Sequence, residues 1–84
     1  MEAELNRERA ATLGRYGKRV EAAIAKCEAL LEDVEAGDEN AIRKYRHCRR
    51  EALEAVEALC LQREMIGVLD HSWVQSAYPM PPRY

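Results

Sequence analysis

Residues 13–38 read LGRYGKRVEAAIAKCEALLEDVEAGD and decide the fold. Apolar side chains recur in alternating steps of three and four, at Leu13, Tyr16, Val20, Ala23, Cys27, Leu30 and Val34. This spacing places the side chains along one side of an α-helix, as in the seam of a coiled coil. The pattern ends at Gly37, which is suited to the left-handed residue after a helix. Asp38 follows and can cap the amides of a second helix. The stretch therefore predicts a helix and an immediate reversal of the chain.

A second helix is predicted from Glu39 to Ile66, with Gly67 as its stop. The sequence thus indicates an all-α fold, an antiparallel two-helix hairpin that resembles a coiled coil. We expect the hairpin to span residues 13–66, with its turn at 36–39. Residues 1–12 lack a good seam, because Asn6 and Arg9 stand where apolar side chains belong, and a frayed or bent helical extension is predicted there. Residues 67–84 are predicted to form an extended tail rich in proline and aromatic residues, with at most one helical turn at residues 70–74.

The charges support the same pairing of helices. Residues 21–39 carry a net charge of −6 and residues 40–50 a net charge of +5, and the hairpin brings these blocks together. Its register is expected to place Leu30 beside Tyr45. It also predicts three ion pairs between the helices: Glu32 with Arg43, Glu28 with His47, and Lys18 with Glu57.

The composition excludes several classes of protein. The chain has 84 residues, of which 48% are hydrophobic and 33% charged, so it is neither disordered nor large enough for a two-lobed enzyme. No phosphate loop, nucleophile–base pair or metal-binding spacing is present, so we expect no catalytic, cofactor or metal site and no small-molecule substrate. Apolar runs are too short for a membrane span or a signal peptide. The three cysteines are expected to be buried free thiols, which favours a reducing, cytoplasmic location.

The apolar stripes are wider than one facing helix can cover. The excess residues are predicted to bind a partner, and they are Ile24, Leu31, Ile42, Leu53 and Cys60. The hairpin would then complete a four-helix bundle, either as a homodimer or by docking on another protein.

The tail holds the only tryptophan of the chain and two of its four tyrosines. Trp73 is expected to insert into a groove on the bundle or on a partner, with Tyr78 and Tyr84 stacking beside it, because such residues concentrate binding energy. The last four residues, Pro81-Pro82-Arg83-Tyr84, match the PPxY pattern that WW domains read.

These features favour a non-enzymatic protein–protein interaction module, such as an adaptor, a small chaperone-like or inhibitor protein, or a peripheral subunit of a complex. The alternative is a helical protein that associates with nucleic acid. Its contacts would come from the basic run at 43–50, through Arg43, Arg46, Arg49 and Arg50. The net charge of −2 argues against this alternative.

Overall fold

The computed structural model describes the backbone of residues 2–84 and the side-chain surroundings of residues 13–84. Helix α1 spans Glu2–Glu35, α2 spans Glu39–Met65, and α3 spans Ser72–Ala77. The two long helices pack against each other, and no strand occurs between residues 2 and 84. The all-α hairpin predicted from the sequence is confirmed. The side chains before Leu13 lie outside the described residues, so the fraying or bending expected for residues 1–12 stays a prediction.

The reversal between α1 and α2 is formed by local hydrogen bonds, as the sequence predicts. Gly37 has a φ of +86°, a conformation that disfavours residues with a Cβ atom. Its amide donates to Val34 O and the Asp38 amide donates to Asp33 O, which is the Schellman pattern for closing a helix. The Asp38 carboxylate accepts from the amides of Asn40 at 2.9 Å and Ala41 at 3.2 Å. One helix therefore ends and the next begins within three residues.

The core lies along the seam between the helices. Val20, Cys27 and Val34 are buried at every seventh position of α1, in the phase that the heptads predict. The α2 side of the core consists of Ala41, Tyr45, Ala52, Ala55 and Leu59. Leu30 is only partly buried, whereas Tyr45 is fully buried and is the largest such side chain.

The predicted ion pairs between α1 and α2 are not formed. Among residues 13–84 the close contacts between basic and acidic side chains are His47 with Glu51, at 2.7 Å, and His71 with Glu64, at 3.1 Å. Arg43 instead hydrogen-bonds to the side chain of Asn40. Exposed pairs gain little net free energy from a fixed geometry, so the opposite charge of the two blocks does not require direct contacts.

The chain after α2 folds back over the hairpin. Gly67 closes α2 with a φ of +90°, and its neighbour Val68 donates its amide to Arg63 O. The sequence indicated at most one helical turn near residues 70–74, whereas α3 is a six-residue helix over Ser72–Ala77. Asp70 favours this helix because its carboxylate accepts from the Ser72 amide at 2.9 Å. That backbone bond and a second one to the Ser72 side chain lower the pKa of Asp70.

Two glycines of α1 provide a matched test of the contact between the tail and the hairpin. A methyl group added at Gly17 would lie 2.7 Å from the Tyr78 hydroxyl oxygen, but one added at Gly14 would meet nothing within 4 Å. Gly14→Ala should stabilise the protein by about 0.5–1 kcal/mol, because Ala favours a helix interior. Gly17→Ala should be less stable than Gly14→Ala by about 1–3 kcal/mol, because Tyr78 must move. Urea denaturation followed by circular dichroism measures both; equal stabilisation would show that Tyr78 does not pack on Gly17.

Candidate functional site

The tail occupies one of the two grooves between α1 and α2. Tyr78 lies against Gly17 of α1, next to a small hollow that Ile24 and Pro79 help to line. Further along, Pro81 is buried and Tyr84 reaches Tyr45 of α2. The tail thus runs from the open end of the hairpin toward the Gly37 turn, antiparallel to α2. We call residues 79–84 the strap and the groove beneath them the strap groove.

Side chains of α2 provide the hydrogen bonds that hold the strap. Arg49 Nε donates to Pro81 O at 2.9 Å, Arg46 Nε donates to Tyr84 O at 2.8 Å, and the Tyr45 hydroxyl donates to Pro82 O. Proline has no backbone N–H, so a strap with three prolines presents mainly acceptors. The Tyr45 and Tyr84 rings meet edge to face, with centroids 5.5 Å apart. The strap groove therefore presents three side-chain donors to the strap, and the ring of Tyr45 lies beside them.

Tyr45 sits beneath the strap in a setting that opposes ionisation. Burial raises the pKa of Tyr45, and the neighbouring Cys27 adds to the effect, with Arg49 acting against it. The raised pKa further favours the protonated phenol, which donates to Pro82 O.

A second surface lies at the open end of the hairpin, where four large apolar side chains are exposed. Their exposed fractions are 56% for Leu61, 71% for Met65, 77% for Leu69 and 57% for Trp73. Leu61 and Met65 lie one turn apart on α2, and Leu69 and Trp73 follow in the connection and in α3. We call these four residues the end cluster.

A cavity of about 490 Å³ adjoins the end cluster, between α1 and Trp73. Its apolar lining comes from Leu13, Gly14, Gly17, Leu59, Trp73 and Tyr78. Trp73 meets Tyr78 edge to face at 6.1 Å, and the Arg63 guanidinium lies 5.3 Å from the Trp73 ring centre. Arg63 Nη2 also donates to Asp70 O at 3.3 Å, whereas its Nε is buried without a hydrogen-bond partner. Arg63 thus connects the end of α2 to the start of α3.

The flank residues predicted to bind a partner do not lie on one exposed surface. Ile24 is 9% exposed and belongs to the core, so the expectation that it remains free at the flank is wrong. Leu31, Ile42 and Cys60 are partly buried against the same core, and only Leu53 is exposed. For Ile24 the physical reason is that the tail lies over it in the same molecule, with Tyr78 and Pro79 beside it.

The aromatic residues of the tail also differ from expectation. Trp73 is 57% exposed and does not insert into a groove of its own hairpin, because α3 directs its neighbour Val74 inward and Val74 is 1% exposed. Insertion of Trp73 into a groove on a partner stays a prediction. Tyr78 is half-buried and Tyr84 is exposed at its tip. The residues that fix the tail are therefore Val74 and Pro81.

Sequence reasoning missed Leu61, Met65 and Leu69, the greater part of the end cluster. Leu61 and Met65 lie off the heptad seam of α2, and Leu69 lies in the connection to α3, outside the helices. The available signal was the four-residue spacing of Leu61 and Met65 on the side of α2 turned away from the seam.

Two arginines of the basic run bind the strap, and the other two do not. Arg46 and Arg49 donate to strap carbonyls, while the side chains of Arg43 and Arg50 are exposed. Two of the four arginines assigned to the nucleic-acid alternative thus have an intramolecular role.

The cysteines are all free thiols, but they are not equally buried. Cys27 is buried, and Cys48 and Cys60 are partly exposed, which corrects the expectation that all three are buried. Burial raises the pKa of Cys27, and the nearby Cys48 adds to the effect. Since the thiolate is the reactive form, Cys27 should react last with iodoacetamide in the native protein, after Cys48 and Cys60. A mass-spectrometric time course at pH 8 tests this order, and denatured protein should show three reactive thiols without reductant. Early modification of Cys27 would contradict the packing of the seam.

Other kinds of site find no support in the described part of the chain. No group of three or more histidine, cysteine or acidic side chains between residues 13 and 84 could hold a metal ion. Of the helices described, none combines the length and the apolar character that crossing a membrane requires. Comparison with known proteins finds no family profile, curated protein or solved structure that matches this chain.

Proposed function

We propose that this chain is a non-enzymatic protein–protein interaction module that docks through the end cluster. The exposure of Leu61, Met65, Leu69 and Trp73 at one end of the hairpin is the observation that supports the proposal. Large apolar side chains left exposed near one end of a molecule are typical of interaction sites, because leaving them in water forgoes burial worth about 25 cal/mol per Å². An adaptor, a small chaperone-like or inhibitor protein, and a peripheral subunit all fit such a surface. A reducing, cytoplasmic location suits the three free thiols.

A second copy of the chain is the first partner to test. Two end clusters facing each other about a twofold axis would cover the same residues on both copies. This homodimer would place the hairpins end to end, whereas the flank-to-flank four-helix bundle suggested by the sequence would need the side that the tail now covers.

Charged substitutions in the end cluster should abolish self-association without unfolding the protein. Wild-type protein should sediment as a dimer at micromolar concentration, and a chain with both Leu61→Glu and Met65→Glu should sediment as a monomer. Both side chains are mostly exposed, so their replacement should alter stability by only about 0.5 kcal/mol each. Leu53→Glu is the matched control, since Leu53 is exposed outside the end cluster, and it should associate as wild type does.

Wild-type protein that remains a folded monomer throughout this range would contradict self-association. The end cluster would then be tested against other proteins by a photo-crosslinking residue at Leu69, with the same residue at Leu53 as the control. Equal labelling of protein partners from both positions would contradict the end cluster as a docking site.

The salt dependence of binding to nucleic acid distinguishes the nucleic-acid alternative from this proposal. Phosphate contacts release counterions, so binding to a random duplex would weaken with a steep slope in a log–log plot against salt concentration. Arg43 and Arg50 carry the exposed charge of the run, while Arg46 and Arg49 hold the strap. A steep slope that is lost in Arg43→Ala/Arg50→Ala would favour this alternative.

A further inference from the structure

The strap groove holds its own extended segment through the backbone of that segment. All three of its side-chain hydrogen bonds go to backbone carbonyls, of Pro81, Pro82 and Tyr84. Donors that engage carbonyls do not read side-chain identity; they require an extended chain with its acceptors exposed. Aromatic side chains with nearby donors are the general means by which proteins bind proline-rich segments.

We propose that the strap groove is a binding site for an extended, proline-rich segment of a partner protein, and that residues 79–84 are its resident, displaceable occupant. In this arrangement Pro81 fills the buried position, and Tyr45, Arg46 and Arg49 provide the donors. The partner segment would offer a proline at the buried position and carbonyls at the neighbouring residues. This site is separate from the end cluster, so it goes beyond the function proposed above.

The attachment of the strap determines how the groove would respond to a partner. Val74 anchors α3 on the hairpin, so the strap can leave the groove while α3 stays in place. A tethered strap competes at an effective concentration in the millimolar range. The apparent affinity for a partner is the intrinsic affinity reduced by the fraction of molecules in which the groove is open. Weakening the strap should therefore strengthen binding in trans.

The test uses the full chain and a synthetic peptide with the sequence of residues 79–84, PMPPRY, titrated while amide NMR signals are recorded. Pro81→Glu places a charge in the buried position and should free the groove. That variant should bind the peptide with an apparent Kd at least about tenfold lower than wild type. Gln75→Glu is the matched control, because Gln75 is exposed on α3 outside the strap, and it should bind as wild type does.

One further protein variant and one altered peptide test the roles of the donor and of the buried proline. Adding Arg49→Ala to the Pro81→Glu chain should remove the gain, and a peptide with Glu at the position of Pro81 should not bind. If Pro81→Glu prevents folding, Tyr84→Ala loosens the strap at a partly exposed ring and should produce the same gain. The proposal is overturned if the opened chain binds the peptide no better than wild type, or if loss of Arg49 leaves the gain intact.

Discussion

Replacing Tyr45 with Ala is expected to cost about 3–5 kcal/mol of unfolding free energy, the range for a large aromatic residue removed from a core. Tyr45 is fully buried at the point where α1, α2 and the strap meet. Its loss would remove the packing of the ring in the seam, the edge-to-face contact with Tyr84, and the hydroxyl bond to Pro82 O. The total free energy of unfolding of a domain of this size is of the same order as this loss. The variant should therefore be largely unfolded at physiological temperature.

Tyr45→Phe separates the ring from the hydroxyl. It keeps the packing and removes one hydrogen bond, so it should cost about 0.5–1.5 kcal/mol. Urea denaturation followed by circular dichroism compares the two variants on the same protein. Equal costs for Tyr45→Ala and Tyr45→Phe would contradict the placement of the ring in the core.

Ile24→Glu is the second substitution with a large expected effect, at about 3–5 kcal/mol, because it places an unpaired charge in the core. Ile24 is 9% exposed and belongs to the core cluster that also includes Val74 of the tail. The same change at Leu53, which is 39% exposed, should cost less than about 1 kcal/mol. The sequence alone assigned both residues to one partner-binding surface, and the structure separates them into a core residue and a surface residue.

The measurement is the midpoint of urea unfolding for the two single variants at equal protein concentration. If Leu53→Glu destabilises the protein as much as Ile24→Glu, the tail does not protect Ile24. Loss of stability that depends on protein concentration would instead place Ile24 in an interface between chains.

The tail adds to the buried surface of the small core. A two-helix hairpin leaves one groove open on each side of its seam, and in this chain α3 and the strap cover one of them. Val74 and Pro81 add buried surface without a second hairpin. The need for an external partner along the flank is thereby reduced, and the exposed apolar surface is concentrated in the end cluster.

Three arginines of α2 make different contacts within the molecule. Arg46 and Arg49 satisfy carbonyls of a segment that has few donors of its own. Arg63 covers the Trp73 ring and holds Asp70 at the start of α3. A long basic side chain on a helix surface can thus anchor backbone and cover aromatic rings as readily as it can bind phosphate.

The sequence by itself determined the two long helices, their reversal and the phase of the seam. These features depend on residues close together in the chain: the spacing of Val20, Cys27 and Val34 follows the helical repeat, and Gly37 and Asp38 act on their own neighbours. Only the tertiary structure decided the path of the tail, the burial of Ile24 and the roles of Arg46 and Arg49. Each of these depends on contacts between residues more than thirty positions apart, such as Tyr45 with Pro82. Local periodicity carries no information about which of several apolar surfaces a flexible, proline-rich segment will cover, because that choice is made by packing and by the pairing of donors with carbonyls across the whole molecule.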